Sequence, residues 1–214
     1  MPASPYNLPM FPDYWLEAAA DLSRHDATMA QLVERYAGVS LVSRGDAFGT
    51  LARSIVGQQI SVKAADAVWG RFATRTGKVC PDRVLELGEP GLVGCGLSRR
   101  KIEYLCDLAG HFASGRLDPR LWKRLDDEAV IAELTAVRGI GRWTAEMFLI
   151  FHQLRPDVFP LDDIGLQRAV FTHYFAGEKQ PRRALAEFGE RWRPWRSVAT
   201  WYLWRSLDPL PVEY

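Results

Sequence analysis

The chain has 214 residues, of which 48% are hydrophobic and 25% are charged, so its composition is that of a globular protein rather than a disordered one. Its net charge of +1 excludes a polycation that would bind nucleic acid over its whole surface, and any such interface must be a local patch. Three cysteines without short paired spacing indicate neither a disulfide framework nor a metal cluster. No secretory signal or membrane-spanning stretch is visible in the sequence, so we expect a cytoplasmic protein that does not contact a membrane.

Apolar residues recur every three or four positions along most of the chain, which is the spacing of one face of a helix. Runs of alternating apolar and polar residues between turn signals, which would indicate strands, are lacking. The pattern predicts an all-α fold of about ten helices joined by short loops. In chain order, the predicted helices are 12–22, 28–36, 46–55, 61–72, 98–114, 126–137, 141–153, 162–174, 181–191 and 195–207.

Three of these helices begin at residues that commonly cap a helix. Asp46, Ser61 and Ser98 each stand immediately before a segment of helical periodicity. Their side-chain oxygens can accept a hydrogen bond from a backbone amide of the first turn. We therefore expect a helix to start at each of these positions.

The segment IVGQQIS, from Ile55 to Ser61, interrupts two strong helical patterns with a glycine and two glutamines. A polar loop of this kind is in most proteins only a connection between helices. Glutamine, however, carries both donors and acceptors on a long side chain, so Gln58 and Gln59 at a loop tip could also enter a duplex and contact bases. The residues alone leave both interpretations open.

The segment LTAVRGIGRWTAEM, residues 134–147, is predicted to form a helix, a Gly-Ile-Gly turn and a second helix. Gly139 and Gly141 permit positive φ and the close approach of a ligand, while Ile140 between them can insert into the core. Backbone amides at the start of the second helix would then favour an anion, most naturally a phosphate. The same turn can also be purely structural, and a phosphate contact would read no base sequence.

Two adjacent carboxylates, Asp162 and Asp163, stand at the start of the next predicted helix, in FPLDDIGLQR. Aspartate at such a position commonly does no more than cap the helix. The positive end of the helix also keeps a carboxylate ionised, and an ionised acid beside a bound nucleotide can stabilise a developing sugar cation and orient water. With two acids, one can cap the helix while the other faces a substrate.

Several of the eight tryptophans lie in the hairpin segment or in the last helix. Trp143 follows the Gly-Ile-Gly turn, and Trp201 and Trp204 are one helical turn apart. Tryptophan at helical spacing usually belongs to the core. Electron-rich ring faces nevertheless also suit an extruded base, above all a cationic one.

Together these segments resemble the helix-hairpin-helix base-excision DNA glycosylases, and most closely the DNA-3-methyladenine glycosylase II branch, which repairs alkylation damage. The resemblance extends from about Tyr14 to Leu207. It implies a two-lobed all-α fold, with 1–45 and 160–214 in one discontinuous lobe, 46–159 in the other, the hairpin at 134–147, and no N-terminal β domain. The segments that carry it are LARSIVGQQISVKAADAVWGRF, GLSRRKIEYL, VRGIGRWTAEMFLIF, DVFPLDDIGLQRAV and WRSVATWYLW.

The resemblance also implies roles for the two acids and the two glutamines. Asp163 corresponds to the catalytic aspartate of the family, with Asp162 as its neighbour or as the cap. Gln59 corresponds to the wedge residue that fills the gap left by the flipped nucleotide, with Gln58 beside it.

A base pocket and a DNA-binding surface are implied in the same way. Trp143, Met147 and Trp204 correspond to pocket positions, and that of Met147 is aromatic in a well-known member. Hairpin carbonyls near Val137 and Gly139 would bind a monovalent cation, Na+ or K+, and no cofactor is required. The residues expected to contact DNA are Gln58, Gln59, Ser61, Arg138, Gly139, Ile140, Gly141, Arg142 and Thr144.

The implied activity is hydrolysis of the N-glycosidic bond of a flipped alkylated base, of the 3-methyladenine or 7-methylguanine type, in double-stranded DNA. Members that also cleave the strand carry a lysine two residues after the second hairpin glycine, where this chain has Trp143, so we expect a monofunctional enzyme. We also expect a monomer that is associated with the nucleoid. Two alternatives stay open: a glycosylase for a deaminated or oxidised base, and a non-catalytic DNA-binding module that uses only the hairpin.

Overall fold

The computed structural model describes residues 12–43 and 46–207. Within this part of the chain there are twelve α-helices, one 3-10 helix and no β-strand, so the predicted all-α fold is confirmed. None of the described helices is long and apolar enough to cross a membrane. The α-helices are α1 (Trp15–His25), α2 (Ala27–Arg35), α3 (Ala47–Gly57), α4 (Val62–Thr76), α5 (Pro81–Leu92), α6 (Arg99–Ala113), α7 (Pro119–Trp122), α8 (Asp127–Thr135), α9 (Arg142–Phe151), α10 (Ile164–Tyr174), α11 (Arg182–Gly189) and α12 (Arg196–Leu207), and the 3-10 helix is Glu190–Trp192.

Two of the described helices, α5 and α7, were not predicted from the sequence. In α5 the backbone has φ 58° at Gly88, and Pro90 follows within the same element, so two short helical stretches meet at a kink that breaks the apolar periodicity. The helix α7 is a single turn of 4 residues, which is too short for a periodic pattern to be recognised. The remaining helices lie at the predicted positions.

The described residues divide into two compact units. The terminal unit comprises 12–43 and 149–207, and the hairpin unit comprises 46–148. The chain thus returns from the hairpin unit to the terminal unit between Phe148 and Leu149, whereas the resemblance implies a boundary after residue 159. The outer parts of the predicted lobes, 1–11, 44–45 and 208–214, lie outside the described residues.

Three helices of the hairpin unit start at the capping residues that the sequence predicts. Asp46, Ser61 and Ser98 cap α3, α4 and α6 through their side chains, and each satisfies an amide that has no acceptor within its own helix. The helix α3 packs against both α4 and α6. Phe48 of α3 meets Phe112 of α6 edge to face, with ring centroids 5.4 Å apart, and so anchors these helices in the core of the unit.

The helix α12 is the central element of the terminal unit. Every residue of Ser197–Leu203 is buried, so no face of this stretch of the helix is left to solvent. It packs against α1, α2 and α10, and Trp15 of α1 meets Trp201 edge to face at a centroid distance of 5.1 Å. Side chains at the end of this helix are therefore carried on a rigid support.

Asp26 is a hydrogen-bonding centre of the terminal unit. Its Oδ1 accepts the amides of Thr28 and Met29 and thereby caps α2. Its Oδ2 accepts the Tyr174 hydroxyl at 2.9 Å and the Trp192 indole N–H at 3.1 Å. Burial, reinforced by the charge of Asp26, raises the pKa of Tyr174, so the phenol stays a donor. One carboxylate thus joins α2, α10 and the 3-10 helix.

Replacing Asp26 by alanine should lower the free energy of unfolding by about 3–5 kcal/mol, because it removes both a helix cap and the carboxylate that accepts two part-buried donors. The matched control is Asp46→Ala, since Asp46 caps α3 at an exposed position and should cost about 1 kcal/mol. Urea titration followed by far-UV circular dichroism measures both values. Equal losses in the two variants would contradict the central role of Asp26.

Candidate active site

Asp163 lies between a loop and α10, where it is the N-terminal cap of that helix. Its Oδ1 accepts the backbone N–H of Leu166 at 2.6 Å, and the residue is buried, with 7% of its surface exposed. The positive end of α10 stabilises the ionised carboxylate. The fold therefore holds this acid in one orientation instead of leaving it to rotate in solvent.

The indole of Trp204, on α12, is a second partner of this carboxylate. Its Nε1–H donates to the same Oδ1 of Asp163 at 2.8 Å, and its ring stacks on Phe151 with centroids 5.6 Å apart and an interplanar angle of 11°. Sequence reasoning assigned Trp204 to the base pocket and did not foresee this bond. The Leu166 amide and the Trp204 indole both donate to Oδ1, so they restrict rotation of the Asp163 side chain.

Gly165 allows the close approach of Trp204 to α10. A Cβ at this position would lie 3.1 Å from Asp163 Oδ1 and 3.3 Å from Trp204 Cδ1, which is tighter than ordinary packing. Gly165 was not among the sequence candidates, although the glycine two positions after the second acid was a signal that could have found it. Phe151 was also missed, since helical spacing alone marks it only as a core residue.

The loop before Asp163 is tied to α12 by side chains. Arg196 holds the Asp157 carboxylate through Nε and Nη2, at 2.7 and 3.0 Å. Ser197 Oγ accepts the amide of Val158 at 2.8 Å. The same helix that supplies Trp204 thus fixes the path of the chain that leads to the acid.

Asp162 has a different environment from its neighbour. Its side chain is 56% exposed and pairs with Arg182 Nε at 3.0 Å. Asp163 rather than Asp162 caps α10, so the expectation that Asp162 could be the cap is wrong, and it is the exposed neighbour. The two adjacent carboxylates therefore differ in burial and in the partners that hold them.

The hairpin joins α8 to α9 through two glycines with different environments. Gly139 has φ 86°, and a Cβ there would overlap the ring of Tyr104, so only glycine fits. Ile140 is buried, as the predicted plug of the turn. Gly141 is exposed, and nothing lies within 4 Å of the position that its Cβ would take. One glycine is thus required by packing, and the other leaves the turn open to a ligand.

Two amides of the hairpin are used within the protein. The Arg138 N–H donates to Asp107 Oδ2 at 2.9 Å, and the Ile140 N–H donates to the Val137 carbonyl at 3.1 Å. Anion binding by the turn consequently depends on its other amides and on the first turn of α9, whose N–H groups have no acceptor within the helix.

Arg142, the first residue of α9, is compensated by two carboxylates. Its guanidinium forms a forked pair with Glu128 and a 2.9 Å bond to Glu146, and the bonds to Glu128 are the main cause that raises the pKa of Arg142. Thr144 of the same helix is buried. The DNA contacts expected of Arg142 and Thr144 stay predictions, and Arg142 would have to exchange a carboxylate for a phosphate.

The turn between α3 and α4 separates the roles of its two glutamines. Gln58 Nε2 donates to the Gly139 carbonyl at 2.8 Å, whereas Gln59 is exposed and has φ 59°. Ser61 accepts the amide of Ala64 as the cap of α4. Gln58 is thus bonded to the hairpin, and Gln59 is the glutamine that faces solvent.

The predicted base-pocket residues belong to different units. Trp143 and Met147 are one turn apart on α9 and therefore share a face of that helix; 38% of Trp143 is exposed and 5% of Met147. Both lie in the hairpin unit, whereas Trp204 lies in the terminal unit. A pocket formed by the three residues stays a prediction.

The predicted cation site uses backbone oxygens of the hairpin. The Gly139 carbonyl accepts Gln58, and the Val137 carbonyl accepts Ile140, but each oxygen has a second lone pair. Carbonyl oxygens as ligands fit Na+ or K+ rather than a soft transition metal. Across the part of the chain that the structure describes, no group of three or more His, Cys, Asp or Glu side chains could hold a metal ion.

Comparison with known sequences points to one family. The sequence model of the HhH-GPD superfamily, described as base excision DNA repair proteins, matches residues 52–194. The putative DNA-3-methyladenine glycosylase YfjP of Bacillus subtilis is 31% identical over 189 residues, which cover 85% of this chain and 66% of that protein. The chain thus spans about two thirds of the length of this relative.

Two solved structures have the same fold. The DNA-3-methyladenine glycosidase of Bacillus halodurans gives a TM-score of 0.81 at 36% sequence identity, and the match covers 90% of this chain and 88% of that protein's chain. The 3-methyladenine DNA glycosylase Mag1 of Schizosaccharomyces pombe, in complex with abasic DNA, gives a TM-score of 0.75 at 29% sequence identity, and the match covers 92% of this chain and 99% of that protein's chain. The chain is similar to both over nearly its whole length.

Gly139→Ala should lower the free energy of unfolding by about 2–4 kcal/mol, because alanine is disfavoured at positive φ and its Cβ overlaps Tyr104. Gly141→Ala is the control, since its Cβ would meet open space, and it should change the stability by about 0.5 kcal/mol or less. Urea denaturation of both variants makes the comparison. A full loss in Gly141→Ala, or none in Gly139→Ala, would contradict this description of the turn.

Trp204→Phe distinguishes a residue that orients Asp163 from one that stacks on a base. Phenylalanine keeps an aromatic ring against Phe151 but removes the N–H donor, so a reaction that depends on the Asp163 carboxylate should slow by about 10-fold. The single-turnover rate of base release measures this, with DNA affinity determined in parallel. An unchanged rate would favour the pocket assignment that the sequence suggested.

Proposed function

The chain belongs to the HhH-GPD superfamily of base excision DNA repair proteins, and we propose that it removes alkylated bases, of the 3-methyladenine and 7-methylguanine type, by hydrolysing their N-glycosidic bond. The Asp163 carboxylate, held by Leu166 and Trp204 at the start of α10, carries this proposal. The names of the Bacillus subtilis and Schizosaccharomyces pombe proteins support the same activity.

The bond to be broken determines which groups are needed. Methylation of a ring nitrogen makes the base cationic, so the base leaves as a neutral molecule and needs no strong general acid. Positive charge develops on the sugar as the bond lengthens, and a fixed carboxylate lowers the free energy of that state. A single ionised acid that also directs a water molecule to the sugar carbon is therefore sufficient.

The environment of Asp163 suits this task. The hydrogen bonds from Leu166 and Trp204 hold the carboxylate before the substrate arrives, so little reorganisation is required during the reaction. Its burial places the charge in a medium of lower dielectric constant than water, where it interacts more strongly with a cationic sugar. Asp162, in contrast, is exposed and paired with Arg182, so its charge is screened by solvent and by a neighbouring cation.

Water rather than an amine is the proposed nucleophile. The position at which strand-cleaving members carry a lysine is Trp143 in this chain, so the expected product is an abasic site in an intact strand. Trp143 is 38% exposed, and an indole face stabilises a cation that lies over it. We therefore assign Trp143 to binding of the cationic base and not to chemistry on the sugar.

The hairpin supplies a grip on DNA that does not depend on sequence, because backbone amides contact phosphates and not base edges. Selection of the damaged base then depends on flipping, which costs least where pairing or stacking is weak. The proposed substrate is double-stranded DNA with damaged bases. We further propose that the protein acts as a monomer and is associated with the nucleoid.

Asp163→Asn should reduce the rate of base release by about 100-fold or more while the protein stays folded, because asparagine keeps an oxygen that can accept from Leu166 and Trp204. The measurement is chromatography of the bases freed from DNA that has been treated with a methylating agent. Circular dichroism verifies that the variant retains its helices.

The control for this experiment is Asp162→Asn, whose side chain is exposed and which should retain the rate within about twofold. Equal losses in the two variants would contradict the choice of Asp163 as the catalytic acid. If the wild-type protein binds methylated DNA but frees no base, a non-catalytic DNA-binding module is the correct interpretation.

A further inference from the structure

Lys101 of α6 turns away from solvent, although it belongs to the basic run Arg99–Lys101. Its Nζ donates to the carbonyl of Val56 at 2.8 Å and to the carbonyl of Gln58 at 2.7 Å. Both carbonyls belong to the C-terminal end of α3 and its cap, where carbonyl oxygens have no partner within the helix and favour a cation. Partial burial lowers the pKa of Lys101, because an ammonium group loses part of its hydration there.

Gln58 continues this set of contacts to the hairpin. The residue whose carbonyl accepts Lys101 also donates through its side-chain Nε2 to the Gly139 carbonyl at 2.8 Å. Three hydrogen bonds therefore connect α6, the turn between α3 and α4, and the Gly-Ile-Gly turn. All three elements belong to the hairpin unit.

The next residue, Gln59, is held in a conformation that side chains seldom adopt. Its φ is 59°, in the left-handed region where glycine is normally found. The side chain is exposed, and the neighbouring Ile60 and Val62 are exposed as well. Strain of this kind persists where surrounding contacts determine the backbone, and it is common at functional sites.

We propose that Lys101 is a positioning residue that, together with Gln58, fixes the exposed Gln59 turn to the hairpin, so that both contact DNA as one rigid element. This inference rests on the proposed function, because Gln59 must enter the gap left by a flipped nucleotide. Lys101 itself contacts no DNA in this proposal. It acts by holding the carbonyls of Val56 and Gln58. The hydrogen bond from Gln58 to Gly139 and the left-handed conformation of Gln59 are then in place before DNA binds.

Arg99 shows how a solvated basic residue of the same helix differs from Lys101. Arg99, two residues earlier, has a side chain that is 88% exposed and pairs with Glu103. It carries the same charge but makes none of the contacts to the turn. Arg99→Met is therefore a matched control for Lys101→Met, since both remove one positive charge from α6 and only the second removes donors to the turn.

The test compares affinity for two duplexes, one with a stable abasic-site analogue and one undamaged. Lys101→Met should weaken binding to the abasic duplex by about 10-fold and change the affinity for the undamaged duplex by no more than about twofold. Arg99→Met should change the affinity for either duplex by no more than about twofold. Gln58→Met, which retains the backbone carbonyls that accept Lys101 but lacks the donor to Gly139, should reproduce the selective loss. Melting temperatures show whether each variant is folded.

A double-mutant cycle separates positioning from general stabilisation. If Lys101 acts through Gln59, then Lys101→Met should have little further effect on abasic-site affinity in a Gln59→Ala background. Additive losses, or equal losses on both duplexes, would overturn the proposal. The cycle measures binding only, so it gives a result even if the wild-type protein frees no alkylated base, the outcome that would refute the proposed function.

Discussion

One oxygen atom, Oδ1 of Asp163, carries the constraint on which the candidate site depends. It accepts the amide of Leu166 and the indole of Trp204, so the acid keeps its orientation only while α10 and α12 keep their relative position. The buried α12 also holds the preceding loop through Arg196 and Ser197. The orientation of the proposed catalytic acid is thus a property of the packing of the terminal unit.

The hairpin is likewise shaped by neighbouring residues within its own unit. Tyr104 occupies the space that a side chain at position 139 would need, Asp107 accepts the amide of Arg138, and Gln58 bonds the Gly139 carbonyl. A Gly-Ile-Gly sequence alone is therefore a weak motif, because its geometry is imposed by α6 and by the turn after α3. The glycines permit the turn, and these contacts select it.

Local signals were sufficient to predict most of the helices, because side chains such as Asp46 and Ser98 cap helices within their own segment. They failed at Gly88, where a kink interrupts the periodicity. The bond between Trp204 and Asp163 joins residues 41 positions apart, and a pattern of spacing cannot reveal it. The resemblance to a family suggests Asp163 as the catalytic acid, whereas the partners that hold this residue become visible only in the folded chain.

The compensation of Arg142 by Glu128 and Glu146 has a consequence for the response of binding to ionic strength. Release of counterions from DNA scales with the number of phosphates that cationic side chains neutralise. A hairpin that contacted phosphates through its amide dipoles, while Arg142 stayed paired, would displace few of those ions. The part of the affinity that such a hairpin contributed should therefore vary little with salt concentration, unlike that of a purely charge-driven binder.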